Sequence, residues 1–181
     1  MKYIVLLRGV MPTGMNKIPK MSYLVEILEE AGFEEVKTYI QSGNVILQTS
    51  YSKTKVEKIV HDIIREKIGA DLKIIVKTKE EIITAINKNP FVKDYELSGV
   101  HLIFTNDNVD DDISVDKITK INSKDYGEEK LHIGSQCIYT FLPKEAVKRK
   151  LDTVYIEKQL GISATMRKLT VVQRLAEMCE D

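Results

Sequence analysis

The sequence predicts an α+β chain built as two ferredoxin-like halves, each a βαββαβ unit with a trailing helix. Three observations carry that expectation. Short apolar runs bounded by turn residues alternate with longer stretches of helical periodicity. The same order of elements occurs twice in 181 residues. Superimposing Gly69 on Gly161 also brings Thr78 onto Thr170 and Glu81 onto Gln173, the shared punctuation of an internal duplication. Two α+β halves that merely share common grammar are the competing explanation. The halves are taken as residues 1–90 and 91–181.

Residues 3–8 (YIVLLR) are too short an apolar run for a helix and read as a buried strand ending at Arg8-Gly9. From Pro19, Met21, Leu24, Val25, Leu28 and Ala31 recur at spacings of three and four, which makes a helix that Gly32 ends. Residues 36–40 and 44–49 are β-rich and flank Gln41-Ser42-Gly43, a hairpin in which Gly supplies the positive φ. A second helix starts near Ser52, carries Val56, Ile59, Val60, Ile63, Ile64 and Ile68 on one stripe, and stops at Gly69. Residues 72–76 form a strand, and Thr78-Lys79-Glu80-Glu81 has the spacing of a capping box for a third helix ended by Asn89-Pro90.

The second half repeats the plan. Residues 101–105 form a strand and 114–121 a short helix carried by Ile118 and Ile121. Residues 130–142 make a hairpin turning at Gly134-Ser135, and 144–160 a helix whose stripe holds Val147, Leu151 and Tyr155, closed by Gly161.

Composition narrows the function classes. Lys plus Arg (27) equals Asp plus Glu (27), so no global field draws the chain to nucleic acid or to a membrane surface. The apolar run at 3–7 is too short for a signal-peptide core or a membrane span, so a cytoplasmic location is expected. Cys137 and Cys179 are the only cysteines, with no Cys/His spacing for zinc, so neither a disulfide nor a metal or other cofactor is expected. The acidic stretch 106–112 lacks the Gly and Glu of a calcium loop and reads as a solvated loop. Lys144, Lys148, Arg149 and Lys150 are interleaved with acids, the pattern of a solvated helix face. His61, His101 and His132 have no Ser, Cys or carboxylate at a spacing that spells a triad. Cys137 alternates with Tyr139 and Phe141 as core packing does.

Four stretches carry a family resemblance: LLRGV at 6–10, GFEEVKTYIQSGNVIL at 32–47, NPF at 89–91 and IEKQLGISATMR at 156–167. Over nearly its whole length the chain resembles a bacterial family known as a domain of unknown function, whose signatures are LLRGIN-VGGKN and TYIQSGNV. The second signature is complete here. The first is not, since Val10-Met11-Pro12-Thr13-Gly14-Met15-Asn16-Lys17 replaces its tail, and Thr165-Met166-Arg167-Lys168-Leu169 departs from the family's usual TTRNW. The resemblance implies a two-part α+β fold and no established activity, cofactor or substrate.

The expected topology places a site. In a ferredoxin-like sheet the first and third strands are antiparallel neighbours, so Arg8-Gly9 lies beside Ser42-Gly43-Asn44 and the loop of residues 9–18 leaves from the same edge. That corner gathers groups that hold carboxylate or phosphate. The candidate contacts are Arg8, Gly9, Asn16 and Lys17 from the first strand and its loop, Tyr39, Gln41, Ser42, Gly43 and Asn44 from the hairpin, and Arg167 near the end. Each has a plainer reading: a turn whose polar side chains satisfy local backbone groups, an ion-paired arginine, a half-buried tyrosine. The leading expectation is a binding or regulatory protein for a small anionic ligand. An enzyme working in the same cleft is the alternative, and nucleic-acid binding a third reading that the missing Trp and zero net charge disfavour. Oligomeric state is not legible.

Overall fold

The computed structural model describes residues 1–145 and 148–180. The first half runs β1 (Lys2–Arg8), α1 (Met21–Glu30), β2 (Glu34–Tyr39), β3 (Asn44–Gln48), α2 (Lys53–Lys67), β4 (Lys73–Thr78) and α3 (Lys79–Asn87). Its four strands form an antiparallel sheet of order β2-β3-β1-β4. After a 3-10 turn at Leu97–Gly99 come β5 (Val100–Thr105), α4 (Val109–Asp112), α5 (Val115–Asn122), β6 (Lys130–Ile133), β7 (Ile138–Phe141), α6 (Thr153–Leu160), β8 (Ala164–Lys168) and α7 (Leu169–Met178). The second sheet has the order β6-β7-β5-β8, again antiparallel. Strand order and connectivity repeat, so the fold is α+β with two similar ferredoxin-like halves.

β1 sits between two strands and is buried on both faces: Ile4 and Leu6 are as inaccessible as Tyr3, Val5 and Leu7. That explains an unbroken apolar run where a half-exposed strand would alternate. Tyr3, Val5 and Leu7 pack with Leu24, Ile27 and Leu28 of α1 and Val56, Val60 and Ile64 of α2. Each such side chain contributes about 1.5–3 kcal/mol through burial, and Ile64→Ala would cost about 2–5 kcal/mol. Ser52 caps α2 by accepting from the Lys55 N–H at 3.4 Å. Gly69 ends it at φ +83°, donating to the Ile64 and Arg65 carbonyls. On the edge strand β2, the ladder slips between Glu34 and Lys37 where Glu35 adopts φ +48°. This bulge, tied by a 3.0 Å Lys2–Glu35 ion pair, blunts the edge against pairing with another chain.

The second core joins Ile103, Ile138 and Ala164 of the sheet to Ile121 of α5 and to Ile156 and Leu160 of α6. Asn89 brackets Phe91, donating to its carbonyl and accepting from its N–H, which gives the NPF stretch a rigid backbone.

Two expectations fail here. The helix expected over 144–160 begins only at Thr153, with Asp152 accepting from the Tyr155 N–H at 2.7 Å. Lys144 and Glu145 form a turn, residues 148–150 are not helical, and Val147 lies outside the described residues. The cause is Glu129, a nearly buried carboxylate that accepts from the N–H groups of Lys150 and Leu151 and so holds that backbone out of a helix. The basic residues 144 and 148–150 therefore do not share a helix face. Secondly, Gly69 and Gly161 do correspond, both closing helices at positive φ, but Thr170 is the second residue of α7 rather than its cap.

By its internal contacts the chain divides into two compact units, one of Met1–Lys79 with the residues from Leu175 onward, the other of Glu80–Arg174. In the second unit the Tyr139 hydroxyl donates to the Ala85 carbonyl of α3 at 2.8 Å, a buried bond. In the first, Lys79 pairs with Glu180 at 3.5 Å. Among the described residues no helix is long and apolar enough to cross a membrane.

Candidate functional site

Strand pairing assembles the corner. Leu6 stands opposite Asn44, and the Leu7 N–H donates to the Gly43 carbonyl at 2.8 Å, so the hairpin turn lies against the end of β1. Gly9, at φ +99°, starts the loop that leaves from there. The loop closes on itself: the Met11 N–H donates to the Asn16 carbonyl at 3.0 Å and the Lys17 N–H to the Gly14 carbonyl at 3.3 Å. Asn16 ties it to the rest of the unit, its Oδ1 accepting from the Asp71 N–H at 3.1 Å.

Between loop and turn lies a cavity of about 580 Å³ lined by Val10, Met11, Pro12, Lys17 and Ile18 on one side and Gln41 and Ser42 on the other. That size falls within the range of small-molecule sites. Its lining combines an apolar wall, one cation, one amide and one hydroxyl. Lys17 is exposed and has no ion-pair partner among the described residues. Lys20 stands at the start of α1 without a side-chain capping bond, so no carboxylate offsets the positive end of that helix.

The hairpin is built to hold Gln41 and Ser42 in place. Asn44 is fully buried, and its Nδ2 donates to the Tyr39 carbonyl at 3.0 Å and to Ser42 Oγ at 2.9 Å. Gly43 has φ +79°, and a Cβ there would stand 2.7 Å from Leu7 Cβ and 3.0 Å from Val10 Cγ2. Both conformation and contact require glycine. Ile40, a β-branched residue at φ +50°, is held in a region that such side chains rarely adopt, and it is half exposed.

The candidate residues do not all meet. Lys17, Gln41 and Ser42 line the cavity. Gly9 and Gly43 shape its backbone, and Tyr39, half-buried, lends its carbonyl to Asn44. Asn16 fastens the loop through Asp71. Arg8 does not line the cavity. Strand alternation assigns it to the face of Ile4 and Leu6, opposite the helix-covered face of Tyr3, Val5 and Leu7. Asn44, register partner of Leu6, belongs to that same face, with its amide engaged in the turn. Arg167 lies in the second unit, where its Nη1 donates to Thr165 Oγ1 at 2.6 Å and to the Met166 carbonyl at 2.9 Å.

Sequence spacing missed a chain of polar contacts beside this loop. His61 of α2 lies between two carboxylates, Nδ1 3.2 Å from Asp62 Oδ1 and Nε2 3.0 Å from Asp71 Oδ1. Asp62 also accepts from Lys58 at 2.6 Å. The hydrogen bonds to Asp71 and then Asp62 hold the His61 pKa above its ordinary value. Lys58 and His61 push Asp62 down, and His61 does the same to Asp71. His61 lines a separate cavity of about 300 Å³ with Thr54, Glu57, Lys58 and Lys73. The Asp62 signal is adjacent in sequence, but the Asp71 contact needs the α2–β4 turn and has no local signature.

In the second unit, His101 is buried with Nδ1 2.9 Å from the Gly99 carbonyl, and desolvation lowers its pKa. Opposite it, the Thr140 hydroxyl is buried without a partner among the described residues. The acidic stretch is partly helical rather than a simple loop. Asn108 caps α4 and its N–H donates to Asp112 Oδ2 at 2.6 Å, while Asp107 accepts from the Thr105 hydroxyl. These carboxylates are turned onto their own segment.

A family model described as "Protein of unknown function (DUF1697)" matches residues 1–139. No curated protein matches the chain. Among solved structures, the conserved bacterial protein SP0830 from Streptococcus pneumoniae is similar at 20% identity and a TM-score of 0.75, over 99% of this chain and 98% of that one. At that identity the likeness speaks to the fold, and it extends to both halves. With a family match that takes in the first sheet, the 9–18 loop and the complete TYIQSGNV hairpin, the chain belongs to the protein family of unknown function DUF1697.

Proposed function

We propose that the chain is a cytoplasmic binding or regulatory protein that holds a small anionic ligand between the 9–18 loop and the Gln41-Ser42-Gly43 turn. The observation that carries this reading is the cavity of about 580 Å³ in which Lys17, Gln41 and Ser42 meet an apolar wall. A cation, an amide and a hydroxyl converging on one concave surface are the usual elements of carboxylate or phosphate recognition. Binding is favoured over turnover because, among the described residues, the lining sets no carboxylate, imidazole or thiol beside Lys17 to partner it in proton transfer. The nucleic-acid reading draws less support, since Lys144 is paired with Glu96 at 2.9 Å and the neighbouring basic residues share no helix face.

The test is a thermal-shift and NMR screen of the full chain against small carboxylates, phosphorylated metabolites and nucleotides, repeated with Lys17→Ala. A binder should move the amide signals of Lys17, Gln41 and Ser42, and its stabilising effect should shrink in the variant. A panel with no effect, or one whose effects are equal in both proteins, would overturn the reading.

A further inference from the structure

We infer that the ligand of this cavity is an amphiphilic monoanion, a carboxylate on an apolar body, rather than a phosphate ester or nucleotide. The inference rests on the binding reading above and adds the chemical class.

Charge sets the first limit. Among the described residues, Lys17 is the one cationic side chain of the cavity lining. Arg8, the residue whose guanidinium could clamp a phosphate bidentately, belongs to the opposite face of the sheet. Phosphate dianions and polyphosphates are usually held by several cations, a glycine-rich nest or a metal ion. One lysine with an amide and a hydroxyl balances a single negative charge.

The wall sets the second limit. Val10, Met11, Pro12 and Ile18 contribute four of the seven lining residues, and a polar sugar or phosphate chain would leave that surface unmatched. Exposed apolar side chains lie among or near the lining residues in sequence: Met11 is 54% exposed, Met15 on the same loop 83%, and Ile40, just before Gln41, 49%. Methionine adapts to irregular apolar shapes, which suits a wall that receives a flexible chain or a ring. Ile40 adds a separate indication. It keeps a large apolar side chain in solvent at φ +50°, where Asn or Gly would relieve the backbone. Strained residues persist where surrounding structure over-determines them, often beside ligand sites.

The experiment is an NMR titration of the full-length, ¹⁵N-labelled protein with octanoate, its neutral isostere octanamide, acetate, inorganic phosphate and AMP, all below micellar concentrations. Octanoate is expected to move Met11, Lys17, Gln41 and Ser42 selectively and to bind at least tenfold more tightly than acetate or octanamide. Lys17→Met should remove the preference for octanoate over octanamide while octanamide binding persists. Met11→Asp should weaken octanoate, and a preserved spectrum elsewhere will show that the variant is folded. If phosphate or AMP moves these residues at lower concentration than octanoate, the amphiphile class is wrong while the binding reading stands. If octanoate acts elsewhere, the amphiphile class falls; if no probe moves these residues, both fall.

Discussion

Asn16 and Asp71 are 55 residues apart in sequence and are joined by one hydrogen bond, the Asp71 N–H donating to Asn16 Oδ1 at 3.1 Å. Through it the loop that lines the cavity is fastened to the turn before β4, whose Asp71 carboxylate in turn holds His61. Asn16→Ala removes the tie without opening a core. Because the Asp71 N–H can turn to water, the expected stability loss is only about 0.5–1.5 kcal/mol. The loop's ordering cost then falls on binding, so ligand affinity should drop while Asn16→Asp, which keeps an acceptor, retains most of it. Urea denaturation and ligand titration of the two variants separate these effects.

Gly43 and Gly14 make a controlled pair, since both have φ near +80° and only one is crowded. Gly14→Ala meets no atom within 4 Å and should lose about 1 kcal/mol, the backbone term alone. Gly43→Ala adds a methyl 2.7 Å from Leu7 Cβ and should lose about 2–4 kcal/mol. Equal midpoints in urea would mean that the turn can move away from β1.

Asn44 tests whether the signature's last polar residue serves the turn. Asn44→Ala removes a fully buried amide with its bonds to the Tyr39 carbonyl and Ser42 Oγ, for an expected loss of about 2–4 kcal/mol. Asn44→Asp should be worse at neutral pH, because a buried carboxylate would face that carbonyl. A surface-like change below about 0.5 kcal/mol, read from urea midpoints, would contradict the clamp.

His61 and His101 should pull stability in opposite directions with pH. His61 has a folded pKa above the ordinary 6.5, so its contribution is complete below that value and is lost as pH rises through the raised one. Asp62 and Asp71 are lowered from 3.8, so their part is complete above 3.8 and is lost as pH falls through the lowered values. The network around His61, with Lys58, Arg65 and Lys73 nearby, therefore helps most between those limits. His101 is lowered by burial, with Arg149 and Lys168 acting in the same direction, so the unfolded chain takes up its proton first as pH falls below 6.5 and stability declines there. Histidine NMR titrations should place His61 above and His101 below 6.5. His61→Gln and His101→Gln should tilt the stability profile between pH 5 and about 8 in opposite senses.

Much of this was legible because local chemistry decides it. Ser52 and Gly69 bound α2 where a cap and a left-handed stop belong, and the antiparallel pairing of first and third strands brought the 9–18 loop to the hairpin. What escaped depends on distant partners. Nothing within residues 144–160 signals that Glu129, more than twenty residues upstream of Lys150, will claim two of its N–H groups. The facing of Arg8 was hidden for another reason: β1 is apolar on both faces, so its run carries no alternation to show which side Arg8 takes. Asn44 looked like a rim residue because amides usually are, and its burial follows only from the pairing with Leu6.

The most direct measurement is a search for intermolecular NOEs between bound octanoate and the protein's methyl groups, since it reads location and not mere affinity. Contacts from the octanoate chain to the Met11 ε-methyl and the Val10 and Ile18 methyls, weakened in Lys17→Met at the same ligand concentration, are the expected result. Saturable binding with NOEs only to methyls outside this lining, or the same NOEs undiminished in Lys17→Met, would contradict a site built on the loop, the turn and Lys17.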